Sequence, residues 1–127
     1  MTNEIKQHLE RSEHFIKVAQ DLAKLNYWED VISRSYFSMF HSATAILLDI
    51  NIQRSSHHAL ISAFGEYVAK KDLIDRKFHR YLLDAFSARN ESDYLPIIDS
   101  TEEEAFSMIN KAKELLKAVN EYLEKNE

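Results

Sequence analysis

The chain reads as a succession of amphipathic faces. From Asn3 to Leu25, the residues Ile5, Leu9, Ser12, Ile16, Ala19 and Ala23 recur at spacings of three and four, and Phe15 and Leu22 widen the stripe. Asn26 interrupts this helix, and a second is predicted from about Tyr27 to Ile50, roughly 36 Å long at about 1.5 Å per residue. Ser55 and Ser56 supply an N-cap for a third helix through about Ala69, with Leu60, Ile61, Phe64, Tyr67 and Val68 on its buried side. Lys70-Lys71-Asp72 is a polar break. A fourth helix, about Asp75 to Asp93, buries Phe78, Tyr81, Leu82, Ala85 and Phe86. Pro96 forces it to end near Tyr94, because the residue before a proline disfavours helical geometry. Ser100 with Glu103, or Thr101 with Glu104, makes a capping box for a last helix whose core stripe is Ala105, Ile109, Ala112, Leu116, Val119 and Leu123.

One glycine and one proline leave few helix breakers, so the fold class is all-α: a four- to five-helix up-and-down bundle. The second helix has the least polar surface and should be the most central. A length of 127 residues with 45% hydrophobic and 29% charged positions fits one domain, 1–127, with no repeat or linker. No apolar run is long enough to span a bilayer, and Met1-Thr2-Asn3-Glu4 lacks the basic and then apolar regions of a signal peptide, so a cytoplasmic protein without membrane contact is expected. The absence of cysteine excludes disulfides, thiolate nucleophiles and cysteine-ligated metals. A net charge of −5 argues against a broad basic surface for duplex nucleic acid, so any RNA contact must be local.

Within the apolar second helix, Arg34, Ser38, His41 and Ala45 are spaced four, three and four, and form one narrow stripe with Ser42 beside it. One reading has Arg34 snorkelling to solvent and His41 a hydrogen-bonded core histidine. The sharper reading is that the stripe faces a groove or a dimer partner instead of the dry core.

The stretch "SRSYFSMFHSATAILL", residues 33–48, resembles the signature of HEPN-domain proteins, in particular a small stand-alone bacterial and archaeal branch. "NYWEDVIS" before it, "SSHHALISAFGEYV" at 55–68 and "SARNESDY" at 87–94 extend the resemblance over most of the chain. The resemblance implies a HEPN-like helical bundle that dimerises and, in many relatives, a metal-independent ribonuclease of a toxin–antitoxin or phage-defence system. A small nucleotidyltransferase partner is implied too, which in some pairs modifies a tyrosine near the motif. The catalytic pattern of the family is an arginine followed, four to six residues on, by a histidine. Cleavage through the RNA's own 2′-hydroxyl needs a proton acceptor and donor near neutral pH and a fixed cation for the phosphate, which these two supply.

Arg89-Asn90 stands at the expected place, but no histidine follows in the window; Asp93 and Tyr94 fall there instead. Asp93 can pair with Arg89 at spacing four and pin the helix end. Arg34 and His41 have the right spacing on the wrong helix. A convergence of Arg34, His41, Arg89, Asp93 and Tyr94 on one cluster would make these the catalytic candidates, with Arg34, Ser38, His41, Arg89, Asn90, Lys77 and Arg80 as nucleotide- or RNA-binding candidates. His57-His58 point about 100° apart and make a poor metal pair, so capping and packing are the expected roles; no metal or cofactor is expected. Lys70, Lys71, Arg76, Lys77 and Arg80 form the main basic concentration, diluted by Asp72 and Asp75. Three function classes follow: a homodimeric ribonuclease toxin, a non-catalytic HEPN module that binds RNA or nucleotide or docks on a nucleotidyltransferase, and a helical dimerisation scaffold.

Overall fold

A computed structural model describes the backbone of residues 1–94 and 99–127 and the side chains of 1–90 and 99–127. Five α-helices follow one another: α1 (Asn3–Ala23), α2 (Trp28–Asp49), α3 (His57–Phe64), α4 (Lys77–Tyr94) and α5 (Glu102–Lys125), with a π-helical turn, Gly65–Ala69, extending α3. The all-α bundle expected from the sequence is what forms. Among the described residues, no helix is long and apolar enough to cross a membrane.

Side-chain hydroxyls start three of the helices. Thr2, Ser56 and Thr101 accept from the backbone N–H of Ile5, Ala59 and Glu104 at 3.2, 3.1 and 3.1 Å, satisfying donors that a helix N-terminus leaves open. Three helical segments end without glycine. Asn26, Asn51 and Asp72 take left-handed φ values of 63°, 61° and 55°. The next residue's N–H then returns to a carbonyl five positions back: Tyr27 to Leu22 at 3.2 Å, Ile52 to Leu47 at 2.9 Å and Leu73 to Val68 at 3.1 Å. This is the Schellman stop, with Asn or Asp in the position glycine usually fills. The single glycine is used for close approach: a Cβ on Gly65 would come within 2.7 Å of the His79 ring.

α2 is the central helix. Val31, Ile32, Tyr36, Met39, Ala43, Ile46 and Leu47 on it are buried, and α1, α3, α4 and α5 pack around it. Sequence periodicity located most of the core, with one slip on α5. Leu115, not Leu116, is fully buried there, alongside Met108. Leu116 lies about 100° round the helix from Leu115, at the edge of the seam.

The expectation for the α2 polar stripe needs a larger correction. Ser38, Ser42 and Ala45 face the dry core, each fully buried. The hydroxyl of Ser12 on α1 lies 2.9 Å from that of Ser38 and 2.7 Å from that of Ser42. Three small side chains let α1 and α2 approach closely, and their hydroxyls satisfy one another, which removes the cost of burying them. Ser38 is therefore a packing residue and has no surface to offer a nucleotide.

Candidate functional site

Arg34 and His41 of the same stripe behave differently from Ser38, Ser42 and Ala45, for both are only half-buried. Arg34 and Arg89 come from different helices and meet over one ring: their Cζ atoms lie 5.9 and 5.2 Å from the centroid of Phe37. α4 runs its C-terminal turns past the N-terminal half of α2, which brings these two cations together. Both side chains and Phe37 are half-buried. A cation over an aromatic face is attracted by the ring's quadrupole, so Phe37 helps to hold the two side chains together.

Behind Phe37 stands Tyr36, fully buried, its ring 5.5 Å from Phe37 and 5.6 Å from Phe86 of α4. The Tyr36 hydroxyl is hydrogen-bonded to Nδ1 of His57, at the start of α3. His57 is itself packed between Phe40, 4.9 Å away, and Phe86, which stacks on it at 5.8 Å with the planes 20° apart. Burial lowers the pKa of His57, and the positive charge of Arg89 and then His58 lowers it further. Burial raises the pKa of Tyr36, with Arg89 pulling the other way. Both groups are thus neutral at pH 7. The arrangement offers a fixed cation, a neutral half-buried imidazole oriented by a phenol, and aromatic walls.

The sequence reads His57 as a capping and packing residue, and the structure packs it between Phe40 and Phe86; its bond to Tyr36 and its nearness to Arg89 depend on how α3 and α4 meet and leave no local signal. Ser56 does cap α3, and its neighbour His57 is thereby aimed into the cluster.

The other sequence candidates distribute as follows. His41 lies on the α1 side of Phe37, stacked on Phe15 at 5.6 Å and on His8 at 5.2 Å, with 2.9 Å between the two Nδ1 atoms. Burial, helped by the nearby His8 and Arg11 charges, pushes its pKa down to about 4. Arg34 and Arg89 converge, whereas His41 reaches the cluster through intervening rings, Phe15 against Phe37 at 5.9 Å and Phe40, 5.8 Å from His41 and 4.9 Å from His57. Asn90 follows Arg89, half-buried. Lys77 and Arg80 sit at the opposite end of α4, about 18 and 14 Å along the helix from Arg89. There Lys77 pairs with Glu114 at 3.5 Å and Arg80 with Asp84 at 3.8 Å. They are no part of the Arg89 cluster. Asp93 and Tyr94 lie outside the residues whose side chains are described, as does Pro96.

Fold and cluster together define a class: a small helical bundle whose central helix carries an arginine, histidine and aromatic site shared with its neighbours. The chain belongs to the HEPN-domain family, whose model matches residues 5–122. A UPF0332 protein of Gloeobacter violaceus is 36% identical over 94 residues, 74% of this chain and 75% of that one. Two proteins of Methanocaldococcus jannaschii that each bear the name "Putative toxin" are also similar. One is 32% identical over 110 residues, covering 87% of this chain and 81% of its own, and the other 26% over 120 residues, covering 94% and 82%.

Proposed function

We propose that this HEPN protein acts on RNA as a metal-independent endoribonuclease of a toxin–antitoxin type system, working as a homodimer, with Arg89 and His57 at the centre of its site. The observation that carries the reading is the neutral imidazole of His57, bonded to Tyr36 and close enough to Arg89 for the guanidinium to depress its pKa. In cleavage, an imidazole nitrogen takes the proton from a 2′-hydroxyl as its oxygen bonds to the adjacent phosphorus. Arg89, with Arg34 beside it, stabilises the charge gathering on the phosphoryl oxygens. The P–O5′ bond breaks, leaving a 2′,3′-cyclic phosphate and a 5′-hydroxyl. The imidazolium so formed at His57 returns that proton to the departing 5′-oxygen, which closes the step within one site of the homodimer. The toxin names of the M. jannaschii relatives support the biological setting. A nucleotidyltransferase antitoxin remains the partner suited to Tyr94.

The same hydrogen bond favours a second reading. If Nδ1–H donates to the Tyr36 oxygen, Nε2 is left as an acceptor and serves as base. If Tyr36 donates to Nδ1, Nε2 carries the proton and the site binds RNA without cutting it.

Cleavage of a mixed RNA pool in excess EDTA tests the two. The wild type is expected to cleave, and Arg89→Ala and His57→Gln to lose activity by about 100-fold or more, the scale of one lost proton-transfer or charge-stabilising group. Binding without cleavage by the wild type assigns the non-catalytic module.

A further inference from the structure

A second cation and aromatic cluster lies on α1, one ring beyond Phe37, and the cleavage chemistry above makes no use of it. Phe15 is 5.9 Å from Phe37. Arg11 holds its Cζ 4.7 Å over the Phe15 ring, and His41 stacks on Phe15 with the planes 15° apart. His8 closes the row, stacked on His41 and joined to it by the Nδ1 contact. Glu10 and Glu13 flank Arg11 in sequence, yet among the described residues neither Arg11 nor Arg34 makes an ion pair with a carboxylate. The chain has a net charge of −5, and its arginines on α1 and α2 are nevertheless held on rings with their N–H edges unclaimed by acids.

An anionic strand passing the Arg89 site therefore meets a second oriented guanidinium at the next ring. A guanidinium edge suits a phosphate, and guanidinium planes and imidazole or phenyl rings suit unstacked bases; a duplex, whose bases are already stacked and paired, offers only its phosphates. We infer that Arg11 on Phe15, backed by His41 and His8, is a subsite for a flanking nucleotide of single-stranded RNA. The inference rests on the RNA reading of the Arg89 cluster, and it adds the direction in which the strand leaves that cluster: across α2 toward α1.

The test is fluorescence anisotropy with fully 2′-O-methylated RNA, which cannot be cut, as a long unstructured single strand and as a trinucleotide, titrated with salt. Arg11→Ala is expected to weaken the long strand roughly tenfold, the scale of one hydrogen-bonded charge. It should shallow the logarithmic salt slope by about 0.7, the share of one phosphate on a single strand. Trinucleotide affinity should be unchanged. Phe15→Leu, which keeps apolar volume but removes the ring, should weaken the long strand in the same direction. Unchanged affinity and slope in Arg11→Ala overturn the subsite, and so does an equal loss with the trinucleotide. A shift in self-association of Arg11→Ala in sedimentation without RNA also overturns it, and assigns the face to a second copy of the chain. If Arg89→Ala loses binding and Arg11→Ala does not, the subsite alone is wrong; if the wild type binds neither RNA, the reading beneath it is wrong as well.

Discussion

Two groups of cations in this molecule follow the same spacing rule to opposite ends. At the start of α4, Arg76 pairs with Asp72 at 2.9 Å and Arg80 with Asp84 at 3.8 Å, each four residues apart, while Lys77 reaches Glu114 across to α5. On the other side, Arg11 lies over Phe15, four residues on, and Arg34 over Phe37, three residues on, with Arg89 joining from α4. Residues three and four apart on a helix are neighbours, so a cation there can meet an acid or a ring, and helix packing selects between them: Asp30 stands four residues before Arg34, yet Arg34 lies over Phe37. An acid screens a cation; a ring attracts it without neutralising it. Density of Lys and Arg along the sequence therefore marks the group that is already paired with acids.

Swapping the burden between the groups is the most demanding way to break this comparison. Arg34→Ala is expected to lower affinity for uncleavable single-stranded RNA roughly tenfold. Lys77→Ala and Arg80→Ala, whose charges are already met by acids, should each change it by less than about twofold, because exposed, paired cations contribute little. Anisotropy at physiological salt reads both. A larger effect at Lys77 or Arg80 than at Arg34 would return the interface to the start of α4.

The ring-bearing face also has an acid-sensitive side, which sharpens the contrast in stability. His41 has its folded-state pKa pushed down to about 4 from 6.5, and burial lowers those of His8 and His57 too. Below 6.5 the unfolded chain binds protons that the folded chain refuses, so stability rises with pH across the window and is lost as pH falls from about 6.5 to 4. For the half-exposed His41 ring the loss is about 1–2 kcal/mol, less than its full shift implies because solvent screens it. Urea denaturation at stepped pH should show His41→Gln losing less stability than the wild type over that interval. Parallel curves would mean that His41 titrates normally in the fold.

How much of this was legible follows from what each feature depends on. Helices, their order and most of α2's core depend on local spacing, and two of the residues that stop helical segments, Asn26 and Asp72, stand out as polar breaks in a chain with one glycine. The serine contact was half-visible: Ser12 falls in α1's apolar stripe and Ser38 and Ser42 in α2's, and a small polar residue repeated on two core faces marks a close helix contact. Taking the α2 serines alone sent the stripe to the surface. The convergence of Arg34 and Arg89 was entertained from sequence, but their shared ring and the arrival of His57 depend on how α3 and α4 cross α2, and no local pattern encodes that. Asp93 and Tyr94, the remaining candidates, lie beyond the described side chains.

The smallest expected effect probes the ion-paired group itself. Asp72 has two roles: its carboxylate takes Arg76 Nε at 2.9 Å, and its backbone holds the left-handed stop with φ 55°. The pair is exposed on both sides, 66% and 69%, so water already solvates each charge and the pair should matter little. Asp72→Asn keeps a residue that tolerates the left-handed region and removes only the charge. Its Tm should fall by at most about 2 °C, and the difference should shrink in molar salt, which weakens exposed ion pairs. Asp72→Gly removes the charge and the Cβ together, and relief of the backbone should outweigh the lost pair and raise Tm slightly in both salts. Thermal melts followed by circular dichroism distinguish the two. A marked fall in Asp72→Asn that persists in high salt would show that this pair organises the link between the π-helical turn and α4, and that the paired group, like the ring-borne one, does more than screen its own charge.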